Sequence, residues 1–182
     1  MKRLLSFVCV SMLAIAASAQ ITWNAKIGGG IAKLWGTNNV KPHFVGKIGA
    51  GIEYPLSSNV SLMPSLEFAL KGTKFKGVDA SLDLYYLQIP IVAAYRVNLA
   101  DAWNMTFKAG PYVAYAVSDK ISYEGDSFSA EAKKFDVGLD AGIDFEYHRF
   151  VFGVEAEMGF LKLLQGEDAK NLAFYGTIGW KF

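Results

Sequence analysis

The sequence predicts an all-β chain folded as an eight-stranded antiparallel transmembrane β-barrel, an up-and-down meander. Three observations predict it. Apolar residues recur with period two in eight segments, charges gather on only one of the two faces this period creates, and the connections between segments alternate in length. The 182 residues are 52% apolar and 14% aromatic, with 18 Gly and 5 Pro, a composition that excludes disorder. Eighteen Lys and Arg against 17 Asp and Glu leave a formal charge of +1. A nucleic-acid surface needs a basic excess, so no nucleic-acid partner is expected. One cysteine excludes an internal disulfide framework, and two histidines offer little to a metal centre. No cofactor and no metal are expected.

Residues 1–19 read as a secretory signal peptide. Lys2 and Arg3 precede an apolar stretch from Leu4 to Ala16, and Ala17-Ser18-Ala19 forms an A-x-A cleavage pattern. A membrane-anchoring helix needs about 20 apolar residues, and Gln20, Asn24 and Lys26 end this run first. Cys9 lies within the apolar run and would leave with the peptide, so residues 20–182 form a thiol-free barrel domain suited to an oxidising compartment.

From Trp23, every second residue is apolar or small (Trp23, Ala25, Ile27, Gly29, Ile31), while Asn24, Lys26, Gly28 and Gly30 occupy the other face. The same period recurs over Phe44 to Tyr54, Val60 to Leu70, Tyr85 to Val97, Trp103 to Val117, Phe135 to Tyr147, Phe150 to Phe160 and Leu172 to Phe182. Of about 53 positions on the apolar faces only Lys33 is charged, against about 13 of 46 on the opposite faces. Size decides which face turns inward. The apolar faces carry Trp, Phe, Tyr, Ile and Leu, too bulky to fill an eight-stranded barrel together, whereas the polar faces are rich in Gly. The consistent solution puts apolar groups in lipid and closes the sheet, because an unpaired backbone edge does not survive in hydrocarbon.

Connections alternate as in outer-membrane barrels, with short turns on the periplasmic side and longer loops outside. The short ones are Pro55 to Asn59, Asn98 to Ala102 and His148-Arg149. The long ones lie between Trp35 and Phe44, Lys71 and Leu84, Ser118 and Lys134, and Leu161 and Asn171. Two aromatic girdles follow: Trp23, Tyr54, Trp103, Tyr147, Phe150, Trp180 and Phe182 at the periplasmic interface, and Trp35, Phe44, Tyr85, Tyr115, Phe135, Phe160 and Phe174 at the outer one. The expected location is therefore the cell outer membrane.

Four stretches carry a family resemblance: Tyr86-Leu87-Gln88-Ile89-Pro90-Ile91, Ala109-Gly110-Pro111-Tyr112-Val113-Ala114-Tyr115, Phe135-Asp136-Val137-Gly138-Leu139 followed by Ala141-Gly142, and the ending Trp180-Lys181-Phe182. With them the chain resembles the small outer-membrane β-barrels of Gram-negative bacteria, in particular the PorT-like barrels of Bacteroidota, with the general architecture of OmpX and the OmpA barrel domain. The resemblance covers essentially all of the mature chain. It implies outer-membrane lipid and lipopolysaccharide as surroundings, and a terminal Phe182 read by the outer-membrane assembly machinery. No C-terminal peptidoglycan-binding domain of the OmpA kind follows, which argues against cell-wall tethering.

The residues that might carry chemistry are few. His43 and His148 fall at opposite ends of the barrel, roughly a membrane thickness apart. Some barrels of this size modify lipid A, which takes Ser, His and a carboxylate in mutual reach. His43 with Ser81 or Ser118 meets no motif for that chemistry, and no catalytic residues are expected. The acidic set Asp136, Asp140, Asp144, Glu146, Glu155 and Glu157 lies on two strands joined by His148-Arg149. A two-residue turn there sets Asp140 against Glu157, and like charges directly opposed repel. Either a cation sits nearby or some carboxyls take up protons. A divalent-ion site or cation-selective lumen is one reading. The stronger one is a buried ladder in which Lys26, Lys47, Arg96, Lys108 and Lys181 reach across, since eight strands enclose only enough room for side chains. The lumen is thus expected to be plugged.

Pro90 and Pro111 interrupt strand patterns and each predicts a bulge or strand end. Gly28-Gly29-Gly30 lacks the Gly and Lys of a phosphate cradle and relieves crowding instead. In the loop Ser118 to Lys134, Ile121, Tyr123 and Phe128 flank Glu124-Gly125-Asp126-Ser127, a hairpin tip whose ribbon could pair with a protein partner. Lys71, Lys74 and Lys76 suit lipopolysaccharide phosphates, although a solvated charged loop is the commoner meaning of such a run. The function expected is a non-enzymatic structural or surface-interaction role through the external loops. A narrow passive pore and a lipid A-modifying enzyme stand as alternatives.

Overall fold

The computed structural model describes residues 21–37, 40–77, 80–123, 126–128, 134–162 and 169–182; residues 1–19, where the leader is expected, lie outside them. The described residues form ten strands: β1 (Thr22–Trp35), β2 (Val40–Lys41), β3 (His43–Pro55), β4 (Val60–Phe75), β5 (Ala80–Ala100), β6 (Trp103–Tyr123), β7 (Asp126–Phe128), β8 (Phe135–Tyr147), β9 (Phe150–Gly159) and β10 (Lys170–Lys181). The hydrogen-bonded order is β2-β4-β3-β1-β10-β9-β8-β6-β5, and β4 also pairs with β5, which closes the sheet. The eight long strands are a closed antiparallel barrel; β2 extends the β3 position along β4, and β7 folds back on β6.

Period two fixes which way each side chain points, and the observed orientation is the expected one. Ile89, Phe107 and Leu139 are exposed on the outer wall, whereas Lys108 and Asp140 are 7% and 2% exposed inside. Ile27, Ile48 and Ile178 stand side by side on adjacent strands, all on the outer wall. At the short-turn end the expected aromatic girdle is present. Trp103 stacks on Tyr147 with ring centroids 4.8 Å apart, and Phe150 meets Trp180 edge-on at 4.5 Å. Close approach to the neighbouring strand requires glycine on the inner face: a Cβ on Gly30 would lie 1.8 Å from the Phe174 carbonyl oxygen, and one on Gly110 2.1 Å from that of Ile91.

Three differences from the sequence reading have physical causes. The strands on one side run past the apolar band, so that β5 and β6 reach 21 residues each. At roughly 3.3 Å per residue and a tilt near 40° they rise about 50 Å, about twice the apolar band. The expected loop from Lys71 is therefore strand as far as Phe75, and the next strand already begins at Ala80. Pro90 and Pro111 produce no bulge. Pro90 pairs with Tyr112 and Ala93 with Ala109 in one unbroken register, and only the pairs between them are lost to the missing N–H groups. The register shifts fall instead at Tyr85/Tyr86 and Asn98/Ala100. β6 pairs with β7 where the hairpin was expected, with Tyr123 opposite Asp126, and Glu124 and Gly125 of its tip lie outside the described residues.

The two-residue turn at His148-Arg149 brings Tyr147 opposite Phe150, and His148 takes a positive φ of 53°. That register sets Asp140 directly against Glu157, as the sequence reading required.

Candidate functional site: the charged interior and its outer rim

The inner face carries eight buried carboxylates (Glu53, Glu67, Asp136, Asp140, Asp144, Glu146, Glu155 and Glu157), and six cations meet them. A buried ion without a partner costs several kcal/mol, so the arrangement of these groups is the chief electrostatic fact of the molecule.

At the short-turn end, Glu53 and Glu146 share two cations. Arg96 donates to Glu53 Oε1 at 2.6 Å and reaches Glu146 Oε2 at 3.3 Å, while Lys181 Nζ lies 2.8 Å from Glu53 and 2.7 Å from Glu146. Ser61 and Thr106 complete the set by donating their hydroxyls to Glu53 and Glu146, each at 2.9 Å. At mid-barrel, Lys26 bridges Glu67 at 2.8 Å and Glu155 at 2.9 Å. Lys47 touches Glu67, Glu155 and Glu157, and Lys108 touches Asp144 and Glu155. Gln88 donates its amide to Glu67 and Glu157. All five cations expected to reach across do so. Sequence reasoning missed a sixth: Lys71, expected in an exposed charged loop, is fully buried and meets Glu157 Oε2 at 2.7 Å. It also lies over the rings of Tyr112 and Tyr86, at 4.1 and 5.5 Å. The signal was available, since Lys71 continues the inward parity of Glu67 and Ala69.

Two carboxylates have no cation among the described residues. Asp136 accepts from Tyr112 Oη at 3.1 Å and Asn171 Nδ2 at 2.9 Å. Asp140 makes no ion pair among the described residues, and its Oδ1 is buried without a hydrogen-bond partner. Asp140, Glu155 and Glu157 bring carboxylate oxygens within 4.8 Å of one another, the spacing of a metal site, but Glu155 and Glu157 are already taken by lysines. Below them a cavity of about 40 Å³, with room for about three waters, touches Lys26, Ser65, Lys108, Asp140, Asp144 and Thr177.

Toward the long-loop end the interior changes character. Leu34, Leu82, Leu84, Tyr86, Tyr112, Ala114, Ala116 and Ala169 form an apolar cluster across the bore, with Val40 and Phe75 packed on it. Above the membrane the outer wall meets water, so the apolar residues turn inward and the polar ones outward.

His43 Nε2 lies 2.9 Å from Asp83 Oδ1 on the same rim. A histidine held by a carboxylate is one of the requirements of a hydrolytic triad. Neither Ser81 nor Ser118 hydrogen-bonds to His43: Ser81 sits opposite Lys74 and Ser118 opposite Tyr85. His148 is in the turn at the other end, beside Tyr147. Lys74 faces outward, directly opposite Lys41. Phe182 is 69% exposed at the short-turn end, its amide donating to the Trp23 carbonyl at 2.9 Å.

The family model for the outer membrane protein beta-barrel domain matches residues 18–165. No curated protein sequence matches the chain. Among solved structures, Ail, the attachment invasion locus protein of Yersinia pestis, is similar with a TM-score of 0.55 and 18% identity, over 89% of this chain and 97% of Ail. The outer membrane enzyme PagL gives 0.54 and 14% over 86% and 98%. Neisserial surface protein A gives 0.52 and 11% over 89% and 97%. At these identities the likeness is one of fold.

Proposed function

The chain belongs to the outer membrane protein beta-barrel domain family, and from that membership we propose that it is a structural or surface-interaction protein, non-catalytic and non-conducting, acting through its long-loop end. The observation that carries the reading is the use of the bore. Interlocked ion pairs fill its lower half and an apolar cluster crosses its upper half. Ions crossing such a bore would have to break buried salt bridges, while the β5–β6 ribbon reaches beyond the lipid. The exposed Phe182 supports delivery by the outer-membrane assembly machinery, and the four sequence stretches support the PorT-like branch of the family.

Two experiments test the reading. In planar bilayers the folded barrel gives no steady single-channel current, and a stable conductance step would put a narrow pore in its place. On cells, replacing residues 118–134 by a tight turn abolishes attachment on a panel of matrix and polysaccharide surfaces while the heat-modifiable gel shift persists. The panel includes heparin, because Ail has been crystallised with the heparin analogue sucrose octasulfate. Equal attachment of the two chains on every surface would reject the loop as the interacting element.

A lipid A-modifying enzyme is the second reading, favoured by the His43–Asp83 pair alone. It requires a hydroxyl nucleophile delivered to that pair by substrate binding.

A further inference from the structure

We propose that the outer wall carries a binding site for the phosphate groups of an outer-leaflet glycolipid, formed by Lys33, Lys41, Lys74 and Lys170. Lys33 is the one charge on the apolar faces, and the barrel explains it by its neighbours. Leu34 and Asn171 point inward, so Lys33 on β1 and Lys170 on β10 point outward; their strands pair with Lys33 opposite Leu172 and Trp35 opposite Lys170. The two lysines are thus diagonal neighbours on one face. Val40 and Phe75 pack on the apolar interior, so Lys41 and Lys74, adjacent to them in sequence, also point outward, and they face each other directly in the β2–β4 ladder.

The register makes the four a contiguous patch across neighbouring strands. Ala32 and His43 are the last pair of the β1–β3 ladder, β1 goes on to contact β2, and Lys41 of β2 is opposite Lys74. The row spans four adjacent strand positions, about 14 Å at the usual strand spacing. It stands at the rim of the apolar band, beyond Ile31 and Phe44 and beside Trp35, where headgroups meet the wall. Lys170 Nζ lies 5.7 Å from the Trp35 ring, so this ammonium is held at the aromatic girdle.

None of the four lysines forms an ion pair with a described residue. Asp83, on the neighbouring strand β5, is taken by His43. Like charges directly opposed across a ladder repel, and Lys41 and Lys74 are opposed on an exposed face, so an anion supplied from outside relieves that repulsion. A row of ammonium groups facing acyl chains at headgroup height complements a headgroup bearing more than one phosphate. The inference goes beyond the surface-interaction reading, because it concerns the wall and would stand if the loops bound nothing.

The test uses the folded full barrel in phosphatidylcholine vesicles doped with diphosphorylated lipid A, dephosphorylated lipid A or phosphatidylglycerol at equal added charge where charged. The barrel is released in mild detergent, and native mass spectrometry counts the lipid it retains. The wild-type chain retains diphosphorylated lipid A, and the variant carrying K33Q, K41Q, K74Q and K170Q retains at least about tenfold less. Arg149→Gln, in the opposite turn, retains as much as wild type. Equal retention by the quadruple variant would overturn the site. Equal retention of dephosphorylated lipid A or phosphatidylglycerol by the wild-type chain would overturn the choice of a phosphorylated glycolipid, and displacement by millimolar inorganic phosphate would make it a free-anion site instead. The wild-type comparison among lipids holds even if the variant folds poorly.

Discussion

Lys47→Met removes one ammonium from mid-barrel and keeps a side chain of similar length. Lys47 Nζ lies 2.8 Å from Glu157 Oε1 and 3.4 Å from Glu67 Oε2, and it also contacts Glu155, all of them buried. Breaking a buried ion pair by removing one partner costs about 3–5 kcal/mol. Lys26, Lys71 and Lys108 still touch the same carboxylates, which places the loss near the lower bound. The contact with the Tyr175 ring, 4.7 Å from Nζ, adds about 0.5–2 kcal/mol. The expected loss is therefore about 3.5–5 kcal/mol. Because the cost is excess negative charge, adding Glu157→Gln recovers part of it, with a coupling of about 1–3 kcal/mol. Urea titration of the barrel in vesicles, followed by tryptophan fluorescence at constant slope, reads both numbers. A loss below about 1 kcal/mol, or no recovery in the double variant, would mean that water solvates this ammonium, and the account of a bore closed by interlocked ion pairs would fail.

Ile27→Arg puts a charge on the lipid face at mid-height and should cost about 2–4 kcal/mol in the same titration; an unchanged midpoint would contradict lipid contact at that site. Gly30→Ala should prevent the heat-modifiable form, because its Cβ would overlap the Phe174 carbonyl, whereas Gly176→Ala should fold, its Cβ having only the Gly29 oxygen at 3.8 Å. His43→Ala should leave the lipid A acyl pattern of overexpressing cells the same as that produced by the wild-type chain. Mass spectrometry of extracted lipid A checks this, and a modification seen with wild type and lost in the variant would establish the enzymatic reading.

The strands were legible because lipid and lumen impose opposite chemistries on alternate residues, so that Ile27 and Lys26 separate by side alone. That rule lapses where the barrel leaves the membrane. Leu82 and Leu84 point inward and Asp83 outward, the reverse of the pattern below, which is why the strand from Ala80 read as loop and the His43–Asp83 pair went unseen. Lys71 was misplaced because the apolar-outward alternation stops at Leu70, although its own inward parity continues that of Glu67 and Ala69. The ion-pair partners were legible in kind but not in detail. Parity puts Lys108 and Glu155 inside together, but only the closure of the sheet makes them neighbours. The prolines misled because a lost N–H need not shift a register held by long ladders on both sides.

Orientation is the central claim, and acyl-chain photolabelling tests it most directly. With the native barrel in bilayers containing a diazirine-tailed lipid, irradiation and peptide mass spectrometry should find adducts on Ile89, Phe107 and Leu139 and none on Lys108 or Asp140. Adducts missing from the first three, with Lys108 and Asp140 marked by a water-borne carbene reagent, would contradict it.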